Sequence, residues 1–178
     1  MTVSPIYTNV PTEGLTAEQQ AVFAALEELH IPFERVEHDW ANTMEDCKAI
    51  SAVLDCDVCK NLVLCNRQKT AFYLLTMPED KPFVTKNLSK QIGSSRLSFA
   101  PGSDMEQLIG CTPGSASVLG LMHDTEHRVK LLMDREVYEA EWFGCHPCKN
   151  DGSLRIKTAD LLNVFLPHTG HDVTVVEL

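Results

Sequence analysis

Asn61-Leu-Val-Leu-Cys-Asn66, Arg67-Gln-Lys-Thr70 and Ala71-Phe-Tyr-Leu-Leu-Thr76 follow one another directly in the chain. Two six-residue apolar runs flank four polar residues, so the stretch folds back on itself as a β-hairpin. Just before it the period changes. Thr43 with Asp46 three residues later is a helix N-cap, and the helix runs towards Leu54 with acidic Glu45 and Asp46 at its positive end. Further upstream, Thr16-Ala-Glu-Gln19 is a capping box, and Val22, Ala25, Leu26 and Leu29 recur at helical spacing until Pro32. Phe33 to His38 reads as a strand.

Downstream of the hairpin, Thr85 to Ile92 is a short helix stopped by Gly93. Arg96 to Ala100 is a strand, and Ser103 to Ile109 is a helix ended by Gly110. Ser117 to Leu121 and Val129 to Met133 both look strand-like. Trp142 and Phe143 precede a polar turn, Leu154 to Thr158 leads into a helix over Ala159 to Leu166, and Val173 to Val176 is a last strand. Helices, strands and a hairpin alternate irregularly, which favours a mixed α/β or α+β domain. The Pro, Gly and Thr content of residues 1–14 marks an irregular arm, followed by a single domain over 15–178. A chain of 178 residues with 44% hydrophobic content can build one well-filled core.

Fifteen basic against 25 acidic residues give a net charge of −10. That balance argues against broad electrostatic binding of nucleic acid, so any such contact has a small local footprint. No apolar run is long enough to cross a bilayer and no signal peptide is evident, so no membrane partner and a cytoplasmic location are expected. Seven cysteines, an odd number, suit reduced thiols rather than a disulfide framework. Cys56-x-x-Cys59 and Cys145-x-x-Cys148 could be zinc knuckles or a redox pair. The gap between them exceeds that of a zinc ribbon, and the first pair runs straight into an apolar strand. No metal or other cofactor is expected.

Three features carry chemistry. Lys60, at the join of a helix and an apolar strand, is either a snorkelling surface lysine or a cation reaching into a cleft, and Asn61 follows it. Gly110-Cys-Thr-Pro-Gly114-Ser115 is either an ordinary turn or a loop aiming backbone N–H groups at an anionic centre. His146, beside Pro147 and near Asn150, could be a general base, an orienting group or a surface residue.

Taken in order, several segments resemble the YbaK/prolyl-tRNA-synthetase-associated domain family. They are Phe33-Glu-Arg-Val-Glu-His38, Thr43-Met-Glu45, Lys60-Asn-Leu-Val-Leu64, Lys86-Asn-Leu88 and Arg96-Leu-Ser-Phe-Ala100. Gly110-x-x-Pro-Gly114-Ser-x-Ser117, Gly120-Leu121, His146-Pro147 with Asn150, and Gly170-His171 complete the set. The likeness covers Leu15 to Leu178. It implies an α/β fold with a mixed, largely antiparallel sheet flanked by helices. It also implies hydrolysis of mischarged tRNA for proline, with alanine the amino acid cleared. The resemblance makes Lys60, Gly110 and Gly114 catalytic. Lys60 would hold the ester end near the 3′-terminal adenosine, and the loop would line the amino-acid pocket. Asn61, Cys111, Thr112, Pro113, Ser115, Ser117, His146 and Asn150 become substrate contacts. Mischarged tRNA is the expected partner, with prolyl-tRNA synthetase a possible second. Cys111, Cys145 and Cys148 depart from the family pattern and bear on which small amino acid fits. A deacylase for cysteine or serine, or a non-catalytic module binding tRNA or a synthetase, are the alternatives.

Overall fold

A computed structural model describes residues 1–178. In chain order the elements are α1 (Ala17–Glu28), β1 (Glu34–Glu37), α2 (Met44–Leu54), β2 (Lys60–Cys65), β3 (Phe72–Met77) and α3 (Thr85–Gln91). Then come β4 (Ser98–Phe99), α4 (Gly102–Ile109), a 3-10 turn (Val118–His123), β5 (Val129–Asp134), α5 (Arg135–Glu139), β6 (Trp142–Cys145) and β7 (Gly152–Lys157). A composite helix over 158–169 and β8 (Val173–Val176) close the chain.

The strands form two sheets rather than one. The five-stranded sheet has the order β4-β2-β3-β5-β8, and the three-stranded sheet has the order β1-β7-β6. The hairpin pairs antiparallel from Lys60 opposite Met77 to Cys65 opposite Phe72. β3–β5 and β5–β8 are parallel, and the remaining pairings are antiparallel. Strand β3 is buried along its whole length because both its faces are covered. Phe72 and Leu74 face the main core with α1, β6 and β7, while Tyr73, Leu75 and Met77 face a second cluster roofed by Leu88 of α3 and by Leu97. The period of two in the side chains thus divides one strand between two cores.

Both helix caps form. Thr16 Oγ1 accepts from the Gln19 N–H at 3.2 Å while Gln19 Oε1 accepts from the Thr16 N–H at 3.0 Å. Thr43 and Asp46 make the same reciprocal pair at 3.1 and 3.0 Å. Helix α2 lies on the small sheet through Ile50 and Leu54, which pack with Val36, Ala41 and Val58. The N-terminal arm runs beside β1, with Tyr7 and Arg35 exchanging backbone hydrogen bonds at 2.8 Å. No helix is long and apolar enough to cross a membrane.

Ser117 to Leu121 is not a strand. Ser117 Oγ accepts from the Leu119 N–H at 3.1 Å and starts the 3-10 turn. Gly120 lies so close to α4 that an added Cβ would sit 2.5 Å from the Ile109 carbonyl oxygen. An apolar run buried on all sides looks the same in sequence whether extended or turned. The last helix is longer than Ala159 to Leu166 and widens to a π-wound segment over Leu161–Phe165. Pro167, which lacks an N–H, follows one residue after it, and the wider turn accommodates its ring. Gly170, at φ 75°, ends the helix, and His171 Nε2 then meets Asp124 at 2.9 Å in the interior.

The two sheets touch where β6 passes the segment entering β2. Val58 bridges Gly144, and the Cys59 N–H donates to the Gly144 carbonyl at 2.9 Å. A Cβ at position 144 would lie 2.6 Å from the Asp57 carbonyl oxygen. Gly144→Ala should therefore force backbone apart and cost about 1–3 kcal/mol, read as a lowered urea midpoint with little change in slope. An unchanged midpoint would show that the sheets tolerate separation there.

Candidate active site

Two residues beyond Val58 is Lys60, and two beyond Gly144 is His146. The contact between the sheets therefore brings both side chains into the lining of one pocket. Its volume is about 260 Å³, and Asn61, Glu79, Gly114, Ala116 and Asn150 also line it. The remaining wall is apolar or thiol: Ala41, Met44, Cys47, Val58 and Cys59.

The hydrogen bonds around His146 fix its tautomer. Nδ1 lies 3.0 Å from the Gly152 carbonyl, which can only accept, so Nδ1 carries the proton. Ser153 Oγ, 3.1 Å from the same nitrogen, shares that proton and donates its own to His38 Nε2 at 2.8 Å. His38 Nδ1–H in turn donates to the Asp39 carbonyl at 2.7 Å. The outcome is a neutral ring whose Nε2 lone pair is left for the pocket. Burial of the ring, with His38 nearby, pushes the His146 pKa down to about 4.

The two amides are oriented just as firmly. Asn61 Nδ2 donates to the Cys59 carbonyl at 3.1 Å, and Asn150 Nδ2 to the Ala41 carbonyl at 2.8 Å. Each Oδ1 is buried with no protein donor. Two unsatisfied acceptors in one pocket mark a place where a ligand or water supplies the donors. No ion pair holds the Lys60 ammonium. Glu79 feels its charge, but burial pushes the carboxyl above its ordinary pKa. On the glycine loop the Ser115 N–H turns back to Thr112 O at 2.9 Å, whereas those of Gly114 and Ala116 have no protein acceptor.

Of the residues expected at the site, Lys60, Asn61, Gly114, His146 and Asn150 line the pocket. Gly110 does not. Its φ of 64° ends α4, and its Cα packs towards His123 and Glu18. Cys111 is fully buried, its thiol donating to the Ile109 carbonyl at 3.3 Å. Thr112 and Pro113 are exposed on the outer bend of the loop. Ser115 and Ser117 are buried supports, the first accepting from the Asn150 N–H at 3.2 Å and the second starting the 3-10 turn. Sequence reading missed Glu79, Met44 and Cys47. The hairpin register carries a signal for Glu79, because it lies two residues past Met77, the partner of Lys60. Met44 and Cys47 share one face of α2 at a spacing of three.

The thiols are free. Burial raises Cys47 and Cys59 to about 12 and Cys56 to about 11, and drives Cys145 well above its ordinary value, so all stay protonated near neutrality. No group of three or more His, Cys, Asp and Glu side chains is arranged to hold a metal ion.

Residues 38–164 match the family model of the aminoacyl-tRNA editing domain. Prolyl-tRNA editing protein ProX of Acetoanaerobium sticklandii is 28% identical over 160 residues, covering 90% of this chain and 97% of that protein. Prolyl-tRNA synthetase associated domain-containing protein 1 of Bos taurus is 31% identical over 161 residues, or 86% of this chain and 93% of the relative. A crystal structure described as a candidate trans-editing enzyme for prolyl tRNA synthetase superposes with a TM-score of 0.68 at 17% identity, over 93% of this chain and 99% of its own. That likeness bears on the fold.

The environment of His146 makes a pH prediction. The unfolded chain binds a proton at this ring near pH 6.5, the folded chain only near 4. Between those values the unfolded state holds more protons, so stability falls as pH drops through that window. The His146 ring resonances should stay constant from about pH 8 to about pH 5 in an NMR titration, where an ordinary histidine would titrate. His146→Gln should reduce the acid-side loss of urea midpoint.

Proposed function

Because the chain belongs to the aminoacyl-tRNA editing domain family, and is a deacylase, we propose that it clears alanine from mischarged tRNA for proline through the pocket between Lys60 and His146. The observation that carries this reading is a pocket combining a free ammonium, a neutral imidazole and two orphaned amide oxygens. An aminoacyl ester is already activated, so a positioned water suffices. His146 Nε2 accepts a proton as the water oxygen attacks the ester carbon. Lys60, with the unpaired Gly114 and Ala116 N–H groups, stabilises the tetrahedral oxyanion. The bond to the ribose 3′ oxygen then breaks, and that oxygen takes up the proton. Met44, Cys47 and Ala116 bound a space for a small side chain.

The charge distribution supports a nucleic-acid substrate despite the net charge of −10. Between Lys60 and Ala100 seven Lys and Arg residues accompany two acidic ones, Glu79 and Asp80. Arg67 and Lys69 in the hairpin turn and Arg96 before β4 are exposed and lie together, the Arg67 N–H donating to Ser95 Oγ at 3.4 Å. Phe99, 62% exposed, stands on the same outer edge of the sheet. That edge follows β2 from the turn to Lys60, roughly 20 Å for six residues, a span for acceptor-stem phosphates. On the other side of the pocket a groove of about 490 Å³ carries Asp55, Asp57 and Asp80 and repels phosphate. Trp40, 40% exposed beside Gly114, offers the terminal adenine a stacking face.

Lys60→Ala should leave stability within about 0.5 kcal/mol while lowering deacylation of alanyl-tRNA about a hundredfold or more. Lys60→Arg should restore little, since a planar fork does not replace a compact ammonium. Assays with alanyl-, cysteinyl- and seryl-tRNA side by side check both the class and the amino acid. A wild type that hydrolyses none of the three would instead be a binding module.

Replacing Arg67, Lys69 and Arg96 together by Ala should raise KM for full-length tRNA and flatten its salt slope by about two to three, at roughly 0.7–0.9 per phosphate. Hydrolysis of 3′-alanyl-adenosine, which lacks the stem, should not change. An unaltered salt slope would remove the basic edge from the interface.

A further inference from the structure

We propose that Glu79 is the seat of the substrate's α-ammonium group, so that the pocket recognises an aminoacyl ester by its charge as well as its size. The proposal rests on the deacylase reading above and concerns which end of the ester meets which wall. Glu79 is the one carboxylate lining the pocket, and it stands near Lys60 without forming an ion pair with it. A cation and an anion held apart across a small space suit a ligand with a developing negative charge at one end and a positive charge at the other. The aminoacyl ester has that polarity, since an α-amino group has a pKa of about 7.7–8.0 and is largely protonated at neutral pH.

The hydrogen-bonding inventory agrees. A primary ammonium brings three donors and no acceptor. Beside the Glu79 carboxylate the pocket offers Asn61 Oδ1 and Asn150 Oδ1, both buried without a protein donor, and Asn150 is only 4% exposed. Their amide nitrogens are committed to the Cys59 and Ala41 carbonyls, so neither amide can turn to offer N–H instead. With His146 Nε2 given to the attacking water, three acceptor groups remain for three donors. Cys47, whose half-buried thiol stays protonated, lies against the Glu79 carboxylate and helps fix it at the pocket edge. Asp57 and Asp80 add to the negative potential at this wall. A half-buried carboxylate whose ionised form is poorly solvated gains most from an arriving cation.

The test uses two esters of nearly equal shape, alanyl-tRNA and lactyl-tRNA, in which a hydroxyl replaces the ammonium. Wild-type protein should prefer the alanyl ester by about tenfold or more in kcat/KM, the range for a hydrogen bond to a charged group. Glu79→Gln, close in size and still able to accept, should lower kcat/KM for alanyl-tRNA about tenfold, mainly through KM. The same variant should leave lactyl-tRNA within about twofold, so the preference collapses. Equal losses on both esters, no change on either, or a wild type indifferent to the ammonium would each overturn the assignment to Glu79. A wild type inactive on both esters would overturn the deacylase reading, and this proposal with it.

Discussion

Gly144 is where the two sheets come close enough to share a hydrogen bond, and the site depends on that approach. With no side chain at 144, the backbone of β6 can pass the Asp57 carbonyl at a distance no Cβ would permit. The bond from Cys59 N–H to Gly144 O then locks the crossing at 2.9 Å. Lys60 and His146 follow two residues later on their respective segments, and two residues of extended chain return the side chains to the same face. A short backbone contact thus brings a lysine and a histidine from different sheets into one pocket. It also explains why the cysteines gather here. Cys56 and Cys59 precede β2, Cys145 ends β6, and small thiols fill the narrow layer between the sheets.

Around that contact Asn61, Asn150 and His146 are each held by a partner that leaves their other polar atom free. Carbonyls of Cys59 and Ala41 claim the amide nitrogens of Asn61 and Asn150, and the Gly152 carbonyl with Ser153 claims Nδ1 of His146. The groups that hold them directly are backbone carbonyls and one hydroxyl, which do not titrate near neutrality. Tautomer and amide orientation are therefore properties of the fold rather than of pH.

Charge is partitioned over the surface so that a strongly acidic chain keeps one basic edge. The hairpin and the residues after it carry an excess of cations, while acidic residues dominate elsewhere and form the groove beside α2. On the proposed reading, a tRNA approaching such a surface is repelled from most orientations and steered into one, which favours a defined pose over strong binding.

The sequence by itself determined the local elements and much of their registration. Thr16 with Gln19 and Thr43 with Asp46 name their helices because a cap is a bond between neighbours in the chain. The hairpin is legible because two equal apolar runs about a polar turn admit few registers, and the observed pairing of Asn61 with Thr76 follows from that symmetry. The order of motifs also identified the family, and five of the residues it singled out, Lys60, Asn61, Gly114, His146 and Asn150, line one cavity. Tertiary structure alone decided the rest. Ser117 to Leu121 became a 3-10 turn because packing against α4, not periodicity, chose its conformation. Gly110, Cys111 and Ser115 share the glycine loop with Gly114, yet they serve the helix end, the core and the support of Asn150. Glu79, Met44 and Cys47 entered the site because α2 and the end of β3 converge on Lys60, a meeting with no signature in any local stretch of sequence. The separation of Asp57 from Gly144 in the chain is the physical reason. A contact between distant segments is set by how whole layers pack, and the residues making it look ordinary until the layers are in place.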